Sequence, residues 1–266
     1  MKRLFSILII VSLIIGCLTS CSIFEKFKKP TVDELIAQAD DAIENSSYRI
    51  SVDMTFTSDK TDEITKQFIK SMNAIELTVS INGEKAEVLY GMELEYDGVE
   101  IAVDMKMTVV DDMLYIVTDQ TVDGEKETTK IKAAVTEEQS EEMLEQTGSG
   151  ATEITSSDFE NVEMEKVDGV YVITCDGLKE ESKEKLNGVI DSSVGEDSTV
   201  TVSNAKVEFE IKDGKYQKAT VTCDYVVDIG DGETMELGAT FVMNYTYEEF
   251  EISAPLDYRD YREIDL

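Results

Sequence analysis

In the stretch Tyr48-Arg49-Ile50-Ser51-Val52-Asp53-Met54-Thr55-Phe56-Thr57, apolar and polar residues alternate one for one. A period of two belongs to a strand with one dry face and one wet face, the pattern of an antiparallel sheet. Upstream, Thr31-x-x-Glu34 has the form of a capping box, and Val32, Leu35, Ile36, Ala39 and Ile43 follow at steps of three and four. That spacing predicts an amphipathic helix ending near Asn45.

Downstream, the two-residue period returns at Leu77-Val79-Ile81, Met92-Leu94-Tyr96, and Val99-Ile101-Val103-Met105-Met107-Val109. It recurs at Tyr171-Ile173-Cys175, Val207-Phe209-Ile211, Val221-Cys223-Tyr225-Val227, and Leu237-Ala239-Phe241-Met243-Tyr245. Asn82-Gly83, Asp97-Gly98, Asp123-Gly124, Asp168-Gly169, Asp213-Gly214 and Asp231-Gly232 stand between apolar runs and tolerate the positive φ of tight hairpins. The fold class that follows is α+β and β-dominated, an antiparallel meander rather than a βαβ array. Three more helices are expected: around Ile64, Phe68, Met72 and Ile75; after Thr136-x-x-Gln139 through Leu144; and along Leu178, Ser182, Leu186, Val189 and Ile190. Thr147 to Ser157 and Asp191 to Ser198 read as loops, too short for a domain boundary, so residues 31–266 are taken as one domain.

The 266 residues carry 24 Lys and Arg against 57 Asp and Glu, a formal charge of −33. Periodicity places nearly all the carboxylates on the wet side of strands and helices, where they stay hydrated over a folded core. With no His, a Ser-His-Asp triad, a Cys-His dyad and a His-rich zinc site are excluded. Beyond the N-terminal leader only Arg49, Arg259 and Arg262 supply guanidinium groups, so nucleic acid is not an expected partner. Carboxylate neighbours such as Asp111-Asp112, Glu141-Glu142 and Glu248-Glu249 point to opposite faces of a strand and make poor acid–base dyads. Asp228-x-Gly-Asp231-Gly-Glu233 lacks the alternating ligands of a calcium loop. The sequence therefore predicts no enzyme, no resident metal and no cofactor.

Met1-Lys2-Arg3, the apolar run Leu4 to Ile15 and the small residues after it form a secretory signal. About twelve apolar residues rise only about 18 Å as a helix, short of a ~30 Å hydrocarbon core. Leu18-Thr19-Ser20-Cys21 resembles the bacterial lipobox, whose cysteine takes a diacylglycerol and becomes the first mature residue. Ile14-Ile15-Gly16-Cys17 fits the same loose pattern, so Cys21 is the expected lipidation site and Cys17 the alternative. Residues 1–20 are then the signal peptide and 21–30 a lipidated tether, in which Phe24-Glu25-Lys26-Phe27-Lys28-Lys29 suits an anionic membrane surface or a plain spacer. The expected location is the extracytoplasmic face of the cell membrane.

A lipobox, a capped helix, a first strand of the type Tyr48 to Phe56, alternating strands with Asp-Gly turns, and the ending Phe241-Val-Met-Asn-Tyr-Thr-Tyr-Glu-Glu-Phe250 into Ile252-Ser-Ala-Pro255 occur here together. This layout resembles the LolA/LppX-type lipoproteins, in particular the surface lipoproteins of that superfamily in bacteria with a single membrane. The resemblance implies an incomplete antiparallel β-barrel, helices over its concave apolar face, and a cavity for acyl chains or other hydrophobic ligands.

If the apolar side is the concave one, Tyr48, Val52, Phe56, Val103, Met105, Phe209, Tyr225, Phe241 and Met243 are the candidate lining, as the inward set of their strands. Methionine suits an adaptable pocket, although ordinary core packing also explains it. Cys175 and Cys223 both continue apolar rows in an exported compartment, which fits two buried thiols and leaves a disulfide open. The expected function is a membrane-anchored, noncatalytic protein that binds a lipid or other hydrophobic molecule. The alternative is a surface adaptor with a packed core that meets a basic protein partner through its acidic face, since the charge exceeds what solubility requires.

Overall fold

The computed structural model describes residues 30–60, 63–96, 98–136, 156–184, 200–230 and 233–264, with Gln139 and Asn187 besides. The leader, both candidate lipidation cysteines, most of the helix after Thr136, the Asp231-Gly232 turn and the 191–198 loop lie outside the described residues.

Helix α1 (Val32–Glu44) begins at the expected box: the Thr31 N–H donates to the Glu34 carboxylate at 2.6 Å, and the Glu34 N–H donates to Thr31 Oγ1 at 3.2 Å. Its buried stripe is Leu35, Ala39, Asp40 and Ile43. Strand β1 (Tyr48–Thr57) alternates buried and exposed without a break. Helix α2 (Glu63–Asn73) stops short of Ile75, which opens β2 (Ile75–Asn82) instead of closing the helix.

The strands that follow are β3 (Lys85–Tyr96), β4 (Val99–Val110), β5 (Met113–Val122), β6 (Glu125–Ala134), β7 (Phe159–Val167), β8 (Val170–Leu178), β9 (Val200–Lys212), β10 (Lys215–Gly230), β11 (Glu233–Thr246) and β12 (Arg262–Glu263). They form one open sheet in the order β12-β6-β5-β4-β3-β2-β1-β11-β10-β9-β8-β7. The β-dominated antiparallel expectation holds. Every lateral pair is antiparallel except β12 on β6.

Three strands depart from the sequence reading. β5 places Met113, Tyr115 and Val117 opposite in parity to Leu114 and Ile116, so both faces are apolar and no alternation is visible. β6 and β7 are the outermost long strands, rich in charge because an edge is wet. A fourth difference is at Leu178, which ends β8 instead of starting a helix; residues 180–184 are helical. Gly177 has a φ of +72°, and this left-handed step lets Cys175 and Leu178 both be buried although they differ in parity.

The hairpins use the expected chemistry. Asp123-Gly124, Asp168-Gly169 and Asp213-Gly214 carry positive φ at both residues. So do Asp111 and Asp112, at 52° and 58°: this carboxylate pair is the β4–β5 turn, built without a glycine.

Both helices lie against the apolar face, α1 on β9 and β10 and α2 on β1 and β3. On the opposite face the chain after β11 runs back towards β6. Arg49 stands 5.2 Å from the centre of the Phe250 ring, and Asn82 Nδ2 donates to the Phe250 carbonyl. Ile252 is buried, Ala254 packs beside Val110 and Tyr115, and Tyr261 meets Tyr115 edge-on at 5.6 Å. β12 then pairs Arg262 with Ile131 and Glu263 with Lys132.

Candidate functional site

The register of the sheet aligns one transverse row of side chains on the apolar face. It runs from Met164 through Ile173, Phe209, Ala219, Met243, Val52, Leu77, Tyr90 and Met105 to Thr118 and Thr129. Four of the nine candidate lining residues, Val52, Met105, Phe209 and Met243, fall in this single row. Phe241 and Val103 belong to flanking rows, through Phe241 opposite Met54 and Val103 opposite Met92. The structure thus brings the candidates onto one face.

It does not give them one environment. Tyr48, Val52, Phe56, Phe209, Tyr225, Phe241 and Met243 are buried in the packed core, where neighbouring side chains already occupy the space a ligand would need. Phe56 meets Phe241 edge-on at 5.6 Å, and Tyr216 lies 5.5 Å from both Phe209 and Tyr245. Only Val103 and Met105 stay half-buried, together with Val88, Leu94, Met107 and Ile116. These six side chains from β3, β4 and β5 form an apolar floor beyond α1 and beside α2, which itself packs on β3. Leu94 and Met107 were legible as strand residues, whereas Ile116 was hidden by the two-sided apolar character of β5.

At one border of this floor, the Tyr90 hydroxyl donates to Met92 Sδ at 3.3 Å, and burial raises the Tyr90 pKa. At the other border the row turns polar at Thr118 and Thr129, with Gln120 and Glu127 in the next row. Apolar surface edged by hydroxyl, amide and carboxylate groups can bury a hydrocarbon and leave a polar end in water. It offers no nucleophile paired with a base. Among the described residues no group of three or more Cys, Asp or Glu is placed to hold a metal ion. Also among them, no helix is long and apolar enough to cross a membrane.

Cys175 and Cys223 are both buried, on β8 and β10, with β9 between them. Cys175 faces Val207 while Cys223 faces Ala205, so the two lie two strands apart and offset along the strands. Two inter-strand steps of about 4.8 Å exceed the ~7 Å Cα reach of a disulfide, and the bridge left open by the sequence is not formed. Burial pushes the Cys175 thiol up to about 11, with the Asp33 charge adding to it.

No protein-family model matches the chain, and no curated protein matches it. Among solved structures, similar chains include an N-terminal dehydratase from the difficidin assembly line, at 7% identity over 75% of this chain and 78% of that one, with a TM-score of 0.16. Another is the dehydratase domain from the CurJ module of curacin polyketide synthase, at 9% identity over 75% and 76% of the two chains, with a TM-score of 0.12. Likenesses of this size carry no argument about fold or activity.

Proposed function

We propose that this chain is a lipid-anchored, noncatalytic protein of the extracytoplasmic membrane face that binds a lipid or other hydrophobic molecule. In this reading the sheet and its helices form an incomplete barrel of the LolA/LppX kind, and the ligand lies on the β3–β5 floor. The observation that carries it is the change in exposure along one apolar face: packed solid under α1, half-open at Val103, Met105 and Met107. Each methylene buried there contributes about 0.8 kcal/mol, so an acyl chain of about sixteen methylenes supplies about 13 kcal/mol before its ordering cost. The Cys21 anchor, with Cys17 as the alternative, keeps that floor near the bilayer.

Native mass spectrometry of the full chain, purified in mild detergent, tests the proposal. Bound lipid is expected, and delipidated protein takes up a fluorescent fatty acid. Met105→Glu, which places a charge on the half-open floor, lowers that uptake at least tenfold while the protein stays folded. Equal uptake by Met105→Glu and the parent chain, or no uptake by either, rejects the reading.

A further inference from the structure

The two margins of the sheet are treated differently. At the β6 margin the chain supplies its own neighbour, β12, and the Ile264 N–H donates to the Lys132 carbonyl at 2.9 Å. The wet row of β6 is Lys126, Thr128, Lys130 and Lys132, and its lysines pair with Asp119, Asp257 and Glu263. At the β7 margin, no strand among the described residues pairs with the outer side of Phe159–Val167.

β7 presents two ordered rows. Val162 and Met164 lie opposite Cys175 and Ile173 on the apolar face, yet each is 37% exposed, and Val167 is 48% exposed. On the wet face Asn161, Glu163 and Glu165 lie opposite Asp176, Thr174 and Val172. The ion pairs among the described residues use none of the β7 carboxylates. Lys166 is directed back onto its own hairpin, 4.2 Å from the Tyr171 ring centre and 3.1 Å from its hydroxyl. Among the described residues this margin therefore offers main-chain groups, an apolar row and an acidic row at strand spacing.

We infer that the outer edge of β7 is a docking strand for an extended segment of a partner protein in which basic and apolar residues alternate. Such a segment adds a thirteenth strand, its apolar side chains covering Val162 and Met164 and its basic ones facing Glu163 and Glu165. Directly opposite residues of neighbouring strands have Cβ atoms about 5 Å apart, within reach of a Lys–Glu pair. A second copy of this chain is the poorer occupant. Two bodies of formal charge −33 repel, and the lysine row on β6 is already neutralised and partly covered by β12. This surface is separate from the proposed lipid floor, and neither reading depends on the other.

The test uses the full chain with three nine-residue probes: alternating Lys and Val, the same residues in two blocks, and alternating Glu and Val. Fluorescence anisotropy at low salt is expected to show the alternating Lys peptide binding at least tenfold tighter than the block peptide. Hydrogen exchange should slow in 159–167, and the double charge reversal Glu163→Lys with Glu165→Lys should transfer preference to the Glu peptide. Equal binding of alternating and block peptides, protection outside 159–167, or no change on charge reversal would mean attraction to the acidic coat and overturn the inference. Concentration-dependent protection of 159–167 without peptide would assign the edge to a second copy and overturn it as well.

Discussion

Asn73 stands where β1 outruns its neighbour. β2 pairs with β1 only as far as Asp53 and Glu76, while β1 continues to Thr57 against β11. The Phe56 backbone that β2 leaves unpaired is satisfied by one side chain: its N–H donates to Asn73 Oδ1, and Asn73 Nδ2 donates to its carbonyl at 3.1 Å. Asn73→Ala leaves both groups without that partner and is expected to cost about 1–3 kcal/mol, read as a lower urea midpoint at unchanged slope. In sequence Asn73 is merely a polar residue between Met72 and Ile75 of a helical pattern, because its role depends on where β2 stops. Asp111-Asp112 was hidden for another reason. A two-carboxylate turn at positive φ lacks the glycine that makes such turns visible, and the surrounding abundance of Asp and Glu concealed it.

Among the elements, the segment after β11 has the most to hold with the fewest regular bonds. It crosses the outer face as an irregular strap, anchored at Asn82, at the Val110–Tyr115–Tyr261 cluster, and by the Lys130–Asp257 pair. The ion pair raises the Lys130 pKa and lowers that of Asp257 through their hydrogen bond, but both groups are wet and salt screens them. The aromatic contact is the stronger clamp. Tyr261→Ala should destabilise the strap by about 2–4 kcal/mol and speed hydrogen exchange at Lys132, whose main-chain groups face β12, while the β10–β11 amides keep their protection. The sequence showed α1 and most strands because each has an internal period. It did not show the strap, whose contacts are all distant in sequence.

At the scale of the whole molecule, three elements meet in a buried tyrosine group: Tyr48 of β1, Tyr216 of β10 and Tyr245 of β11. The Tyr216 hydroxyl donates a hydrogen bond to Asp40 Oδ1 of α1 at 2.8 Å. Burial, chiefly, raises the pKa of all three tyrosines, with charge repulsion from the Tyr247 hydroxyl adding for Tyr48 and Tyr245 and the Asp40 charge for Tyr216. In the unfolded chain they ionise near pH 10, so the stability tied to their neutral forms is complete below about pH 10 and falls above it. Each contributes a slope of up to about 1.4 kcal/mol per pH unit while only its unfolded form is ionised. Urea titrations at pH 8, 10 and 11 should show stability falling over the first interval, where the unfolded Cys175 thiol ionises, and more steeply over the second, where the tyrosines do. Replacing Tyr216 with Phe, which cannot ionise, should flatten that fall; an unchanged slope would remove Tyr216 from the account.

The same scale separates what each level of description decides. Sequence alone determined the strands with one wet face, the capped first helix, the glycine turns and the sorting of carboxylates from apolar residues, because these are local periodicities of two and three to four. Tertiary structure decided that the first strand lies mid-sheet between β2 and β11, and that β6 and β7, consecutive in sequence, occupy opposite margins. It also decided that seven of the nine candidate lining residues are sealed while Val103 and Met105 remain half-open. Which face a side chain takes follows from its neighbours in sequence; what covers that face depends on elements a hundred residues away.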